Sequence, residues 1–161
     1  MRIVVQKIKD AHLLLVGKEV DTHYANAIKS FIKKNQLTSH ITYLGEKENV
    51  MEILLSCSIG VLSSKVEGLP LAVLEYGLAG LAVVLTDVGG NREIVEEGKA
   101  GILVPPSNPE KLAQSLIFLL ESPQERIRLG ECLRQRVRNN YALEFIIQRI
   151  CNLYFTVLAE K

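Results

Sequence analysis

Ser63-Ser64-Lys65-Val66-Glu67-Gly68-Leu69-Pro70-Leu71-Ala72-Val73-Leu74-Glu75 is the stretch on which the reading of this chain turns. It leaves a short apolar run and enters a segment with helical spacing, so Gly68 and Pro70 turn a strand into a helix. Pro70 suits the first helical position, where its missing N–H costs nothing. The amides of Leu71 and Ala72 then point free toward any anion in front of the helix. Glu67 sits just outside that end. Glu75, eight positions on, lies in the second turn, and its side chain leans back toward the helix N-terminus. The corner therefore offers amide donors for a phosphate, flanked by two carboxylates that can each accept hydroxyl protons from a diol.

Working outward, the same strand-to-helix pattern recurs. His12 to Gly17, Ile41 to Gly45, Ile59 to Ser63, Ala82 to Asp87 and Gly101 to Val104 read as strands. Thr22 to Asn35, Glu48 to Ser56 and Leu71 to Ala79 have helical spacing and suit crossover helices. Strands alternating with helices predict an α/β fold, a Rossmann-like open parallel sheet with helices on both faces. Ligands bind such sheets outside the carboxyl ends of the strands, and Gly17, Gly45, Ser63 and Asp87 all fall there. A helical tail over residues 109–161 follows. Asn108 caps a helix opened by Pro109, and Ser122-Pro123-Gln124-Glu125 has the form of a capping box with proline in the first turn. A last helix from about Leu143 to Leu158 carries Phe145, Ile146, Ile150, Tyr154, Val157 and Leu158 on a broad apolar face, which predicts self-association through 143–158.

Composition narrows the function classes. The chain has 161 residues, 48% hydrophobic and 23% charged, enough for one sizeable core, and we read residues 1–161 as a single domain. A net charge of +1 gives no electrostatic case for nucleic acid or an anionic membrane surface. Cys57, Cys132 and Cys151 are odd in number and widely spaced, so they read as reduced thiols of a cytoplasmic protein rather than disulfides or zinc ligands. His12, His23 and His40 show no ligand spacing, and no metal site is expected.

The spacing of Glu67 and Glu75, followed by Thr86-Asp87-Val88-Gly89-Gly90-Asn91-Arg92-Glu93-Ile94-Val95, resembles the group 1 (family 4) glycosyltransferases. Gly98-Lys99-Ala100-Gly101-Ile102-Leu103-Val104-Pro105-Pro106 and Asn108-Pro109-Glu110-Lys111-Leu112-Ala113 continue the likeness over nearly the whole chain. What is matched is the C-terminal, donor-binding half of a two-domain GT-B enzyme. The resemblance implies that Glu75 holds the ribose diol of a nucleotide-diphosphate sugar, most simply a UDP-sugar. It implies that Glu67 holds the transferred sugar as the catalytic carboxylate, and that the backbone from Gly68 through Leu69, Pro70, Leu71 and Ala72 receives the diphosphate. Gly17, Gly45 and Lys47 would approach the base. Gly89 and Gly90 form either an anion-accepting nest near the hexose or a plain tight turn. Arg92 and Glu93 read as structural caps. The enzymes resembled are retaining and metal-independent, with no cofactor beyond the donor substrate, and the leaving phosphate takes the acceptor's proton.

The departures matter as much. The family has a further strand before Leu13, ending in a Gly-Arg turn followed by a lysine, whose two cations clamp the diphosphate; Met1 to Asp10 correspond only to the helix after it. Neither Arg2 nor Lys7 takes the cations' place, and Lys18 and Lys65 are the available substitutes. That strand lies in the middle of the sheet, so without it two neighbours lose backbone partners and reduced stability is expected. The N-terminal acceptor-binding domain is expected as a missing partner, without which this chain should be inactive. The full enzyme would build polysaccharide or glycoconjugate, peripheral at the inner face of the membrane. The alternative is a non-catalytic nucleotide-sugar-binding or assembly module working with a separate chain. An epimerase or phosphorylase half is weaker, lacking acid/base side chains or a cofactor lysine.

Overall fold

A computed structural model describes residues 1–159, so residues 160 and 161 of the expected tail lie outside the described residues. Five strands alternate with helices: α1 (Arg2–Lys7), β1 (Leu13–Val16), α2 (Thr22–Lys34), β2 (Ile41–Gly45), α3 (Val50–Leu55), β3 (Ile59–Leu62), α4 (Leu71–Ala79), β4 (Ala82–Thr86), α5 (Asn91–Ile94) and β5 (Ile102–Val104). Three longer helices close the order, α6 (Pro109–Glu121), α7 (Pro123–Asn140) and α8 (Leu143–Ala159). All pairings are parallel.

The sheet is split. β1 pairs only with β2, and β3, β4 and β5 form a separate three-stranded sheet. The two pieces have the relative order of positions 3-2 and 4-5-6 in a doubly wound sheet. Thus the expected single open sheet is present as two parallel pieces, and it does not close up. Backbone partnership explains the consequence: β4, flanked on both sides, is buried at all five residues, whereas no residue of β1 is buried despite its sequence Leu-Leu-Leu-Val.

Helices carry the packing around β4. Val73 of α4 and Leu133 and Val137 of α7 bury against Val83 and Leu85 on one face, while Leu119 of α6 and Leu129 of α7 cluster with Ala82, Val84 and Val104. Close approach of α7 depends on small residues: a Cβ on Gly130 would lie 2.2 Å from the Gly80 carbonyl oxygen, and one on Gly77 would lie 2.6 Å from Val137. Val4 of α1 packs with Ala113 of α6, and Leu54 of α3 packs with Ala79 beside α4. Those helix contacts tie the β1–β2 piece to the rest.

Two details depart from the sequence reading. Pro70 is the N-cap of α4 rather than its first turn, one residue earlier than expected. Ser122 is the N-cap of α7, but its side chain makes no capping hydrogen bond, and Glu125 is held by Arg128 at 2.8 Å instead of reaching back. No single helix among the described residues is long and apolar enough to cross a membrane.

Candidate functional site

The loop between β3 and α4 is built as a strand-to-helix corner. β3 delivers Ser63 and Ser64 at its carboxyl end, and α4 begins at Leu71 and stops at Gly80, whose φ of 75° makes the left-handed C-cap. The first amides of α4 have no partner within the helix. The dipole of a helix adds a partial positive charge at that end.

Glu67 is half-buried, and its Oε1 accepts a hydrogen bond from the Ser64 hydroxyl at 2.6 Å. Glu75 is exposed on the second turn of α4. Its neighbour Tyr76 donates its hydroxyl to the Val61 carbonyl at 3.3 Å and packs against Gly60, where a Cβ would sit 2.5 Å from the ring. Burial, assisted by the charge of Glu75, pushes the Tyr76 phenol above its ordinary value. Gly68 is exposed, as are the apolar side chains of Val66, Leu69 and Leu71.

The turn after β4 lies directly against this loop. A Cβ on Gly89 would meet the Glu67 carbonyl oxygen at 1.8 Å, and Gly89 has a left-handed φ of 49°. At Gly90 the corresponding Cβ would lie 2.3 Å from the Gly68 carbonyl oxygen. The Gly90 N–H donates to that carbonyl at 2.8 Å, so it is engaged by protein rather than offered to an anion.

Gly17 and Gly45 stand at the carboxyl ends of β1 and β2, where the Gly17 N–H donates to the Gly45 carbonyl at 2.9 Å. Gly17 also lines a cavity of about 350 Å³ with Lys18, Val20, Asp21, Tyr24 and Tyr43. Lys47 is exposed in the next loop. Glu67 and Glu75 do not line that cavity. The structure therefore gathers Glu67, Gly68, Gly89 and Gly90 around one loop and leaves Gly17 and Gly45 on the separate β1–β2 piece.

Arg92 forms a bidentate pair with Asp87, and Arg136 of α7 donates to the carbonyls of Glu93 and Ile94, both at 2.8 Å. His12 bonds the Thr42 hydroxyl at 2.8 Å and His40 bonds the Ala11 carbonyl at 3.1 Å. Sequence reasoning missed Ser64, Thr86 and Asn91. Thr86 ends an otherwise apolar strand and donates to the Ser64 carbonyl at 2.7 Å, while Asn91, fully buried, donates to the Thr86 carbonyl at 2.8 Å. A hydroxyl closing the run Ala-Val-Val-Leu was the available signal.

The chain is similar to known proteins along most of its length. The family of glycosyl transferases group 1 matches residues 1–136. The chain is 32% identical over 152 residues to N,N'-diacetylbacillosaminyl-diphospho-undecaprenol alpha-1,3-N-acetylgalactosaminyltransferase of Campylobacter jejuni, covering 94% of this chain and 39% of that protein. It is 29% identical over 151 residues to N-acetyl-alpha-D-glucosaminyl L-malate synthase of Bacillus anthracis, again covering 94% and 39%. The chain thus spans about two-fifths of the length of these relatives. Among solved structures, Anabaena HepE in complex with UDP shares the fold with a TM-score of 0.86 at 20% identity, over 97% of this chain and 45% of that one. A C-terminal domain of a group 1 glycosyl transferase from Francisella tularensis matches with a TM-score of 0.78 at 23% identity, over 88% and 75%. Matched along most of its length, with the two glutamates on either side of one helix start, the chain belongs to the group 1 glycosyl transferases.

Proposed function

We propose that residues 1–161 form the nucleotide-sugar-binding domain of a retaining, metal-independent glycosyltransferase. The observation that carries this reading is the β3–α4 corner: a helix start at which the amides of Leu71 and Ala72 have no partner among the described bonds, with Glu67 before it and Glu75 in its second turn. In this role Glu75 accepts the two ribose hydroxyls, the backbone from Gly68 to Ala72 receives the diphosphate, and Glu67 holds the sugar. Donors aimed at charge that grows on the leaving diphosphate supply the main stabilisation of the transition state. Acceptor contacts are assigned to a separate acceptor-binding domain. The Campylobacter relative, a transferase acting on a diphospho-undecaprenol-linked sugar, supports a role in assembling lipid-linked or surface glycans.

The test is a calorimetric titration of UDP, GDP, ADP and UDP-glucose into this chain, with Glu75→Ala in parallel. Hydrogen bonds to a charged group contribute about 1.5–3 kcal/mol, so Glu75→Ala should weaken binding by about 10- to 100-fold. A folded chain that binds none of these nucleotides, or a variant that binds as well as the wild type, removes the reading. One observation favours a second role as an assembly module: none of α8 is buried, and Leu143, Ile147, Ile150, Leu153, Tyr154 and Phe155 all stand exposed. Light scattering on the same samples decides it, since a strictly monomeric chain at micromolar concentration leaves self-association through α8 without support.

A further inference from the structure

Among the described residues, Thr86 and Asn91 are the buried polar side chains in a core otherwise made of apolar groups. Thr86 is 4% exposed and Asn91 is fully enclosed. A buried polar group is costly unless hydrogen-bonded; the Asn91 amide nitrogen and the Thr86 hydroxyl both donate, while the Asn91 Oδ1 has no partner among the described bonds. The Asn91 amide donates to the Thr86 carbonyl at 2.8 Å, a carbonyl that also accepts from the Val88 N–H at 2.9 Å. The Thr86 hydroxyl has one proton, and its short bond goes to the Ser64 carbonyl at 2.7 Å, with the Leu62 carbonyl farther away at 3.5 Å. Ser64 in turn donates its hydroxyl to Glu67 at 2.6 Å. Gly90 closes the loop from the other side through its bond to the Gly68 carbonyl.

We propose that Thr86, with Asn91 behind it, is a positioning residue: it sets the backbone of Ser64 so that the Ser64 hydroxyl holds the Glu67 carboxylate in its binding orientation. The physical case is that β4 needs no hydroxyl for its own packing. Ala82, Val83, Val84 and Leu85 fill their places with hydrocarbon, and a valine would fill the place of Thr86. What the hydroxyl adds is a directional tie across from β4 to the loop after β3. A buried chain of hydrogen bonds of this kind, with each member holding the next, specifies one arrangement rather than several. Glu67 sits on an eight-residue loop between Leu62 and Leu71 that has no strand or helix of its own, so its position must be imposed from outside. The carboxylate itself receives only the Ser64 hydroxyl among the described bonds, which makes that single contact the point where the tie acts.

This inference rests on the donor-site reading, and its test separates the two. Thr86→Val, Thr86→Ser and Ser64→Ala are compared with the wild type for binding of UDP and of UDP-glucose, and for amide hydrogen exchange over residues 63–70 without ligand. Positioning predicts that Thr86→Val and Ser64→Ala lose at least fivefold of the ratio of UDP-glucose to UDP affinity while UDP affinity stays within twofold, because Glu75 is untouched. Thr86→Ser, which keeps the hydroxyl, restores the ratio. Loop amides in Thr86→Val should exchange at least tenfold faster and recover in Thr86→Ser. A general loss of packing would instead lower both affinities together and would not respond to the serine variant. Should Thr86→Val fail to fold, Ser64→Ala carries the test alone, since Ser64 lies in the loop outside the core. Unchanged affinity ratios in Ser64→Ala overturn the proposal. If the wild type binds no nucleotide, the donor-site reading falls, and unchanged loop exchange in Thr86→Val then overturns the tie as well.

Discussion

Gly89 leaves no room for a side chain. Its φ of 49° is left-handed, and a Cβ would come within 1.8 Å of the Glu67 carbonyl oxygen, a backbone atom that cannot rotate aside. Left-handed backbone costs an L-residue about 1–2 kcal/mol before any clash is counted. We therefore expect Gly89→Ala to destabilise the chain by at least about 2 kcal/mol in urea unfolding and to loosen the Glu67 loop. A variant within about 0.5 kcal/mol of the wild type, the range of an ordinary surface change, would show that the turn can retreat from the loop. Tyr76 gives a second expectation at this scale. Burial raises its phenol above the ordinary value, so the folded chain holds that proton more tightly than the unfolded chain does. The associated stability is fully present below the unfolded value of about 10 and is lost as pH rises through the higher folded value. Tyr76→Phe should flatten the stability profile above about pH 10 while costing about 1 kcal/mol at neutral pH from the lost bond to the Val61 carbonyl. An alkaline limb that is unchanged in Tyr76→Phe would assign the loss to another group.

At the scale of elements, two helix starts with similar sequence signals behave differently. Asn108 before α6 accepts the Lys111 N–H at 2.9 Å, whereas Ser122 before α7 makes no such bond. Asn108→Ala should cost about 1 kcal/mol and Ser122→Ala close to nothing, both read as midpoints of urea unfolding. Equal costs would mean that Ser122 caps α7 in solution. The contrast also marks what a sequence can disclose. β2 runs over Ile41–Gly45 and α4 over Leu71–Ala79 as the apolar pattern predicts, and the other strands fall within one residue at either end, because apolar period and Gly or Pro punctuation are local properties. The capping box was also local in form, yet Glu125 found Arg128 one turn along and did not reach back. Side-chain competition of that kind is invisible in a spacing. The same holds at the candidate site. Glu67, Gly68, Pro70 and Glu75 could be singled out because they lie within nine residues of one another. Thr86 and Asn91 act on that loop from more than twenty positions away, through hydrogen bonds that only the crossover from β3 to β4 brings about.

At the scale of the whole molecule, the division of the sheet governs how the chain should open. β4 has partners on both sides and five buried residues, while β1 has only β2 and no buried residue. The β1–β2 piece with α2 buries only Ala25 among the residues of those three elements, and it meets the rest through the neighbouring helices α1 and α3. Local opening free energies follow buried apolar contact and backbone partnership, so this piece should open without unfolding the β3–β4–β5 core. Amides of β1, β2 and α2 are expected to exchange through openings at least about 2 kcal/mol less costly than those of β4, a factor of about 30 in rate. Val4 of α1 is held against Ala113 of α6, so α1 should share the slower class despite being the first element of the chain. Uniform protection across all five strands would mean that the two pieces behave as one cooperative sheet in solution. Selective loss in β1 and β2 would tie the instability to the division of the sheet. Nucleotide binding then supplies the discriminating measurement. A ligand confined to the β3–α4 corner protects β3, β4 and α4 alone, whereas one that also reaches Gly17 and Gly45 must slow exchange in β1 and β2.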